Sequence, residues 1–295
     1  MKRILLLGKI GQLGWELQRT LSPLGEVTAL DYPEIDLVKS ESLRPIVRSI
    51  RPDVIVNATA YTAVDRAEIE PEIAMAINGR APGLMAEEAR ELGAALIHYS
   101  TDYVFSGDKG SPYVESDETG PLGMYGQSKL AGERAIQEVG GAYLILRTSW
   151  VYSLRRDSFV TKVLEWSRKQ PSLRIVSDQV SNPTWCRMLA EVNAQLLAKG
   201  GSDLHGWARE RSGVYHLAGD GSASRFEWAR AILELDSHRD EQVTRELLPA
   251  ATSEFPTPAQ RPLNSALNCD RFAETFRLRL PAWEAALRLA MEEAC

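Results

Sequence analysis

The chain of 295 residues holds only three cysteines, Cys186, Cys269 and Cys295, odd in number and far apart. They exclude a disulfide framework and a zinc knuckle, and read as reduced thiols of a cytoplasmic protein. Histidine is almost as scarce. His205, His216 and His238 show no metal-ligand spacing, and His98 reads as a strand residue near the core. No apolar run approaches the roughly 18 residues of a membrane-spanning helix. The apolar stretch after Lys2 and Arg3 stops at Gly8, far short of a secretory signal core, and reads as a buried first strand. Positive charge is also lacking. Against 34 Lys and Arg stand 40 Asp and Glu, a net of −6, with a pI near 5.4. That balance argues against nucleic acid and against an anionic membrane as partners. Repeats and low-complexity tracts are absent.

What the chain has is enough to fold. Hydrophobic residues make up 44%, and the length leaves room for about two domains of roughly 150 residues. Short apolar runs alternate with amphipathic stretches through the first half. Ile4–Leu7, Val27–Leu30, Val54–Val56, Ala94–Tyr99 and Tyr143–Leu146 read as strands buried on both faces. Leu13–Leu21, Leu43–Ile50, the region from Pro71 to Leu92 and Tyr125–Val139 read as helices between them. Arg174–Val176 and Val214–Leu217 look like two more strands of the same sheet, and Trp283–Glu293 like a closing helix. Helices are also expected from Pro183 to about Lys199 and from Ser224 to Leu235, with Trp166 and Trp228 in the core or an interface. The expected class is α/β: a doubly wound parallel sheet of Rossmann type, with a smaller discontinuous α/β substrate domain. Residues 1–150 and 172–222 would form the dinucleotide-binding domain, and 151–171 with 223–295 the substrate domain.

Gly8-Lys9-Ile10-Gly11-Gln12-Leu13-Gly14 follows the first strand and opens a helix. Glycines there let backbone N–H groups and the helix N-terminus approach a pyrophosphate. Asp31 ends the second strand, about 20 residues on, where a carboxylate can accept from adenosine ribose hydroxyls. It would repel a 2′-phosphate and so leans towards NADH, although Lys39 lies close in sequence. Asn57-Ala58-Thr59-Ala60-Tyr61-Thr62 places small residues at the end of the third strand, where a ligand could cross the sheet edge.

Tyr125 and Lys129 lie four apart at the start of a helix, on one face. An ammonium beside a phenol lowers its pKa and equips it to protonate a forming alkoxide. The plain alternative is an exposed helix face. The fourth strand ends in His98-Tyr99-Ser100-Thr101-Asp102-Tyr103-Val104-Phe105, which puts hydroxyls where open α/β sheets bind ligands. Ser100 or Thr101 could hydrogen-bond a substrate carbonyl.

The glycine loop, Ser100–Phe105, Tyr125-x-x-x-Lys129 and Arg147-Thr148-Ser149-Trp150-Val151-Tyr152 occur in an order that resembles the extended short-chain dehydrogenases. Within that group the chain is similar to the dTDP-4-dehydrorhamnose reductase family over nearly its whole length. Arg51–Ala58, Thr62–Asp65 and Arg261–Asn268 match too. The Arg-Pro-x-x-Ser stretch from Arg261 and the run from Asp178 to Thr184 are the parts most particular to that family.

The resemblance implies NADH or NADPH as cofactor and a dTDP-sugar as substrate. The reaction would reduce the C4 keto group of dTDP-4-dehydro-L-rhamnose to give dTDP-L-rhamnose for cell-surface polysaccharide. It implies Tyr125 as proton donor, and Lys129 as its pKa-lowering partner and holder of the nicotinamide ribose. Thr101 would tune the proton transfer. Thr101 and Asp102 would contact the sugar, with Trp150 packed against it. Gly11, Gln12 and Leu13, framed by Gly8 and Gly14, would hold the pyrophosphate, and Asp31 the adenosine ribose. Asp36, Leu37, Ala60, Tyr61, Thr62 and Tyr99 would line the rest of the cofactor channel.

One departure concerns a metal. The family's Mg²⁺ site at a dimer contact uses two glutamates; Glu16 matches the first, but Arg187 stands at the second. Arginine has no lone pair for Mg²⁺, so neither that site nor a dimer built around it is expected, and a homodimer is left open. Two other readings compete. A sugar-nucleotide epimerase or dehydratase would need a further acid–base pair, commonly Cys with His, and no Cys lies near the fourth-strand motif. A non-catalytic regulatory subunit could share the scaffold, but Thr101, Tyr125 and Lys129 are all present. Finally, residues 151–295 carry 16 Arg and 3 Lys. Planar guanidinium groups suit a sugar-nucleotide diphosphate, and Arg261 is the first candidate.

Overall fold

The computed structural model describes residues 1–292; Cys295 and the helix end expected at Glu293 lie outside them. Six strands form one parallel sheet. They are β1 (Lys2–Leu7), β2 (Gly25–Leu30), β3 (Val54–Asn57), β4 (Ala95–Thr101), β5 (Ala142–Thr148) and β6 (Gly213–His216). Their order across the sheet is β6-β5-β4-β3-β1-β2. The chain runs outward from β1 to β2, then crosses to β3 on the other side of β1. That reversal opens a crevice at the carboxyl ends of β1 and β3, the usual ligand position in such sheets.

Helices α1 (Gln12–Leu21), α2 (Leu43–Ile50), α3 (Ala81–Leu92), α4 (Met124–Val139) and α5 (Cys186–Lys199) flank the sheet, while α6 (Arg225–Leu235) packs on the separate strand Ser172–Val176. The unbroken apolar run of β1 serves both faces. Ile4 and Leu6 join a core with Leu17 of α1 and Leu189 of α5, while Leu5 and Leu7 join Leu43, Val47 and Met85 on the other side. All four strand residues are fully buried, so truncating any one to Ala would cost about 2–5 kcal/mol. Among the described residues no helix is long and apolar enough to cross a membrane.

One expectation needs correction. Arg174–Val176 does not join the main sheet. It lies in a strand Ser172–Val176 that pairs with Glu246–Ala250. Its residues alternate, with Leu173 and Ile175 buried and Arg174 exposed, the pattern of a strand with one wet face. The expected helical region from Pro71 to Leu92 is helical throughout, with a change of winding inside it. Pro71–Ala74 runs into a π-helical turn, Met75–Arg80, before α3. Pro82 in the first turn of α3 has no N–H to extend a regular ladder backwards.

Candidate active site

The glycine loop is built by close approach. Gly8 has φ +95°, and a Cβ there would lie 2.9 Å from the carbonyl carbon of Ala58 after β3. A Cβ on Gly14 would lie 1.8 Å from the Gly8 carbonyl oxygen. Both positions therefore admit only glycine, which brings the start of α1 against the β1–β3 crevice. Gly11 caps α1 without any side-chain hydrogen bond, which leaves the first-turn N–H groups for an anion. The side-chain oxygen of Gln12 is buried with no hydrogen-bond partner among the described residues. Asp31 turns its carboxylate onto the loop and accepts from the Ile10 N–H at 3.0 Å. These features fit a dinucleotide.

The other expected channel residues divide. Tyr61 receives its position from the π-helical turn, where Asn78 Oδ1 accepts from the Tyr61 N–H at 2.8 Å and Asn78 Nδ2 donates to the Tyr61 carbonyl at 3.1 Å. Asn78 also donates to Ser128 of α4. Ala60 and Thr62 flank Tyr61 on the same loop, half-buried and exposed respectively. Asp36 is committed to the Val38 N–H, and Leu37 is buried in the core behind it. Tyr99 is buried, its hydroxyl accepting from Asn193 of α5 at 2.9 Å; what it offers the site is its backbone carbonyl.

Beyond the loop, the ends of β4 and β5 meet the start of α4. Lys129 is fully buried and donates to the Tyr99 carbonyl at 2.6 Å, with Nζ 3.2 Å from Nε2 of His98. Burial pulls its ammonium down to about 8, against the nearby charge of Glu133. Tyr125 sits one turn earlier, edge-on to Tyr103 at 5.6 Å. The expected lowering of its pKa by Lys129 is not what the structure shows. Burial raises the phenol, and the chief opposing influence is a hydrogen bond with Thr101. The Lys129 Nζ is engaged instead by the Tyr99 carbonyl and His98 of β4.

Thr101 donates to Asp102 Oδ1 at 3.1 Å, and Ser181 and Ser265 donate to Oδ2 at 3.1 and 2.5 Å. Asp102 is buried, and desolvation pushes its carboxyl up to about 6 against these bonds. Its oxygens are thus taken up by the hydroxyl of its neighbour Thr101 and by hydroxyls from two distant segments rather than left open. Glu133 is buried in a bidentate pair with Arg147 at 2.9 and 2.7 Å and accepts from Ser100 at 2.5 Å.

Trp150 follows β5 with φ +40° and stacks on Trp228, centroids 5.5 Å apart. The guanidinium of Arg225 lies 3.7 Å over the Trp150 ring. Among the described residues no carboxylate pairs with it, and burial lowers it to about 10. Arg225 was not visible to sequence reasoning. Only the Ser-x-x-Glu capping box of Ser224 and Glu227 marks its helix start, and a capping box says nothing of ligands. Arg261 is instead paired: it donates to Asp65 at 2.8 Å and to the Ala259 carbonyl at 3.2 Å. Its charge still reaches Tyr103 and Arg225.

The Glu16 region does not fit Mg²⁺. Burial raises the Glu16 carboxyl, and the charges of Arg187, Arg19 and Arg155 oppose that rise. A site lined by three guanidinium groups repels a dication, and among the described residues no cluster of three potential ligands exists.

Comparison with known proteins supplies the family. A model described as the RmlD substrate binding domain matches residues 1–295. A dTDP-4-dehydrorhamnose reductase of Escherichia coli is 41% identical over 98% of this chain and 97% of its own. Among solved structures, a dTDP-4-dehydrorhamnose reductase of Clostridium acetobutylicum aligns with a TM-score of 0.89 at 30% identity, covering 99% of both chains. One from Bacillus anthracis, in complex with NADP, aligns at 0.88 with 32% identity and 99% coverage of both. The chain belongs to the RmlD substrate binding domain family, that of the dTDP-4-dehydrorhamnose reductases.

Proposed function

We propose that this chain is an NAD(P)H-dependent oxidoreductase that reduces the C4 keto group of dTDP-4-dehydro-L-rhamnose to give dTDP-L-rhamnose. The observation that carries the reading is the meeting of Thr101, Tyr125 and Lys129 at the sheet edge next to a glycine-built dinucleotide cradle. Relatives of that name, alike over almost the full chain, support it.

When bound, the nicotinamide supplies a hydride to the keto carbon. The residues of the chain do the rest. Tyr125 enters the reaction as the protonated phenol, because burial disfavours its anion. Its hydroxyl is the acid for the developing alkoxide oxygen, and Thr101 orients it. Asp102 fixes Thr101 in turn and is itself held by Ser181 and Ser265. Trp150 offers an apolar wall to the sugar ring, and Arg225 above it is the cation closest at hand for the diphosphate. Arg261 supports that positive field from its pairing with Asp65.

Several finer points belong to the same proposal. The cofactor is NADH or NADPH, and the Asp31 carboxylate facing the loop favours the 2′-hydroxyl form. The division into 1–150 with 172–222 and 151–171 with 223–295 is supported by all six main-sheet strands falling in the first set. A cytoplasmic location is supported by the free, buried thiols of Cys186 and Cys269. A homodimer is proposed without a shared Mg²⁺.

The test is the loss of NADH or NADPH absorbance with dTDP-4-keto-L-rhamnose, beside the UDP and GDP analogues. Stoichiometric consumption with the dTDP substrate is expected. Turnover without net cofactor loss would point to an epimerase, and no turnover on any keto-sugar to a regulatory protein.

A further inference from the structure

A short strap of the chain lies across the dinucleotide cradle. Residues 154–157 form no helix or strand, yet both ends of the strap are pinned. Ser158 donates its hydroxyl to the Ser153 carbonyl at 2.8 Å and caps the helix Phe159–Ser167 in a reciprocal box with Thr161. Leu154 packs on the core beneath. Arg155, Arg156 and Asp157 are exposed and reach the glycine loop and α1 by three separate contacts. Arg156 donates to the Ile10 carbonyl, in the peptide that leads into Gly11. The Asp157 carbonyl accepts from Gln12 Nε2 at 3.5 Å. The Arg155 guanidinium lies 4.3 Å over the Trp15 ring.

Charge at this mouth is unbalanced. Lys9, the one cation within the glycine loop, is committed to Glu34 at 2.5 Å. Asp31 is turned to the Ile10 N–H. Arg156 meets only a neutral carbonyl, and among the described residues no carboxylate pairs with it. Burial, and then the charges of Arg156 and Arg19, weaken the hold of Arg155 on its proton, with Glu16 opposing them. A surplus of guanidinium charge of this kind attracts an anion.

We propose that Arg156 is a further cofactor-binding residue that clasps the dinucleotide pyrophosphate against the first turn of α1. The proposal rests on the dinucleotide reading of the cradle and deepens it. A guanidinium carries five N–H donors in a planar fork, and the Ile10 carbonyl uses one. The others suit two phosphate oxygens at once. The bond to Ile10 sets that fork beside Gly11, where the helix end offers N–H groups that no side chain caps. Backbone dipoles and a strap cation then hold one diphosphate from parts of the chain 146 residues apart.

The test is calorimetric titration of the full chain with NADH, NADPH and ADP-ribose. Arg156→Gln keeps a donor for the Ile10 carbonyl and removes the charge. It should weaken all three ligands alike, by about tenfold or more, and flatten the dependence of their affinity on ionic strength. ADP-ribose lacks the nicotinamide, so an equal loss with it places the effect on the part it shares with NADH. Arg156→Lys should recover part of the affinity, since an ammonium keeps the charge without the fork. Without ligand, Arg156→Gln should melt close to wild type, because the side chain is exposed and its partner is a neutral carbonyl. Wild-type affinities in Arg156→Gln would overturn the proposal. So would a loss confined to NADPH, which would put the guanidinium at the 2′-phosphate. A wild type that binds none of the three ligands would instead remove the dinucleotide reading itself.

Discussion

Ser265 donates its hydroxyl to Asp102 Oδ2 at 2.5 Å, across a sequence separation of 163 residues. This bond joins the Arg-Pro-x-x-Ser stretch to the end of β4. Ser181 donates to the same oxygen at 3.1 Å from the Asp178–Thr184 run. The two stretches most particular to the family therefore converge on one buried carboxylate, whose other oxygen holds Thr101.

The raised carboxyl of Asp102 gives a pH prediction. Its value near 6 exceeds the ordinary 3.8 because burial outweighs three hydroxyl donors. A raised acid favours the folded state in its protonated form, fully so below about 3.8, and that contribution is lost as pH rises through about 6. At pH near 7 the buried charge thus opposes folding by about 3 kcal/mol. Asp102→Asn should raise the melting temperature relative to wild type at neutral pH, and the gap should shrink as pH falls from about 7 to about 5. A gap of equal size at both pH values would show that the carboxylate is not the destabilising species. Activity of this variant should fall, because the amide cannot hold Thr101 and both serines as one acceptor pair does.

Tyr125→Phe removes the hydroxyl proposed to protonate the alkoxide while keeping the ring against Tyr103. We expect kcat to fall by a factor on the order of 10²–10⁴, with dinucleotide affinity within a few-fold of wild type by fluorescence titration. Thr101→Val should reduce kcat less, since the phenol keeps its proton without it. A Tyr125→Phe enzyme with wild-type turnover would reassign the acid.

The two loop glycines should separate folding from binding. Gly14→Ala places a methyl 1.8 Å from the Gly8 carbonyl oxygen, against backbone that cannot yield. It should lower stability by about 1–3 kcal/mol or more, read by urea denaturation. Gly11→Ala meets only the Gly8 oxygen at 3.4 Å. It should melt close to wild type yet bind NADH and NADPH at least about tenfold more weakly, because its methyl enters the approach to the α1 N-terminus. Equal binding losses in fully folded Gly11→Ala and Gly14→Ala would contradict this split.

Local pattern explains which parts of this molecule could be read from its sequence. The β1 run Ile4–Leu7 has no alternation, and it is buried on both faces as such runs require. Gly8 and Gly14 announced a loop because glycine is needed where no Cβ fits. Arg174 and its neighbours misled because three residues cannot reveal alternation, and only pairing with Glu246–Ala250 displays it. The direction of Lys129 was equally hidden. Spacing put it one turn from Tyr125, but His98 and the Tyr99 carbonyl draw Nζ onto β4. Arg225 had no motif at all; its meaning lies in what surrounds it in space.

That surrounding makes the last prediction. The Arg225 guanidinium lies 3.7 Å over Trp150 and 4.9 Å from the Phe159 ring centroid. Among the described residues no carboxylate pairs with it, and burial weakens its hold on the proton to about 10. A partly desolvated cation without a carboxylate is complementary to an anion, and the substrate brings a diphosphate. Arg225→Leu should raise the sugar-nucleotide KM by roughly 10- to 100-fold, the worth of one lost hydrogen-bonded charge contact, while kcat changes little. Stability should not fall, because truncating an unpaired cation relieves desolvation rather than orphaning a partner. Arg225→Lys should recover only part of the affinity, since an ammonium cannot stack on the Trp150 ring and offer two parallel donors at once. An unchanged KM in Arg225→Leu would mean that the guanidinium serves only to cover the Trp150 ring.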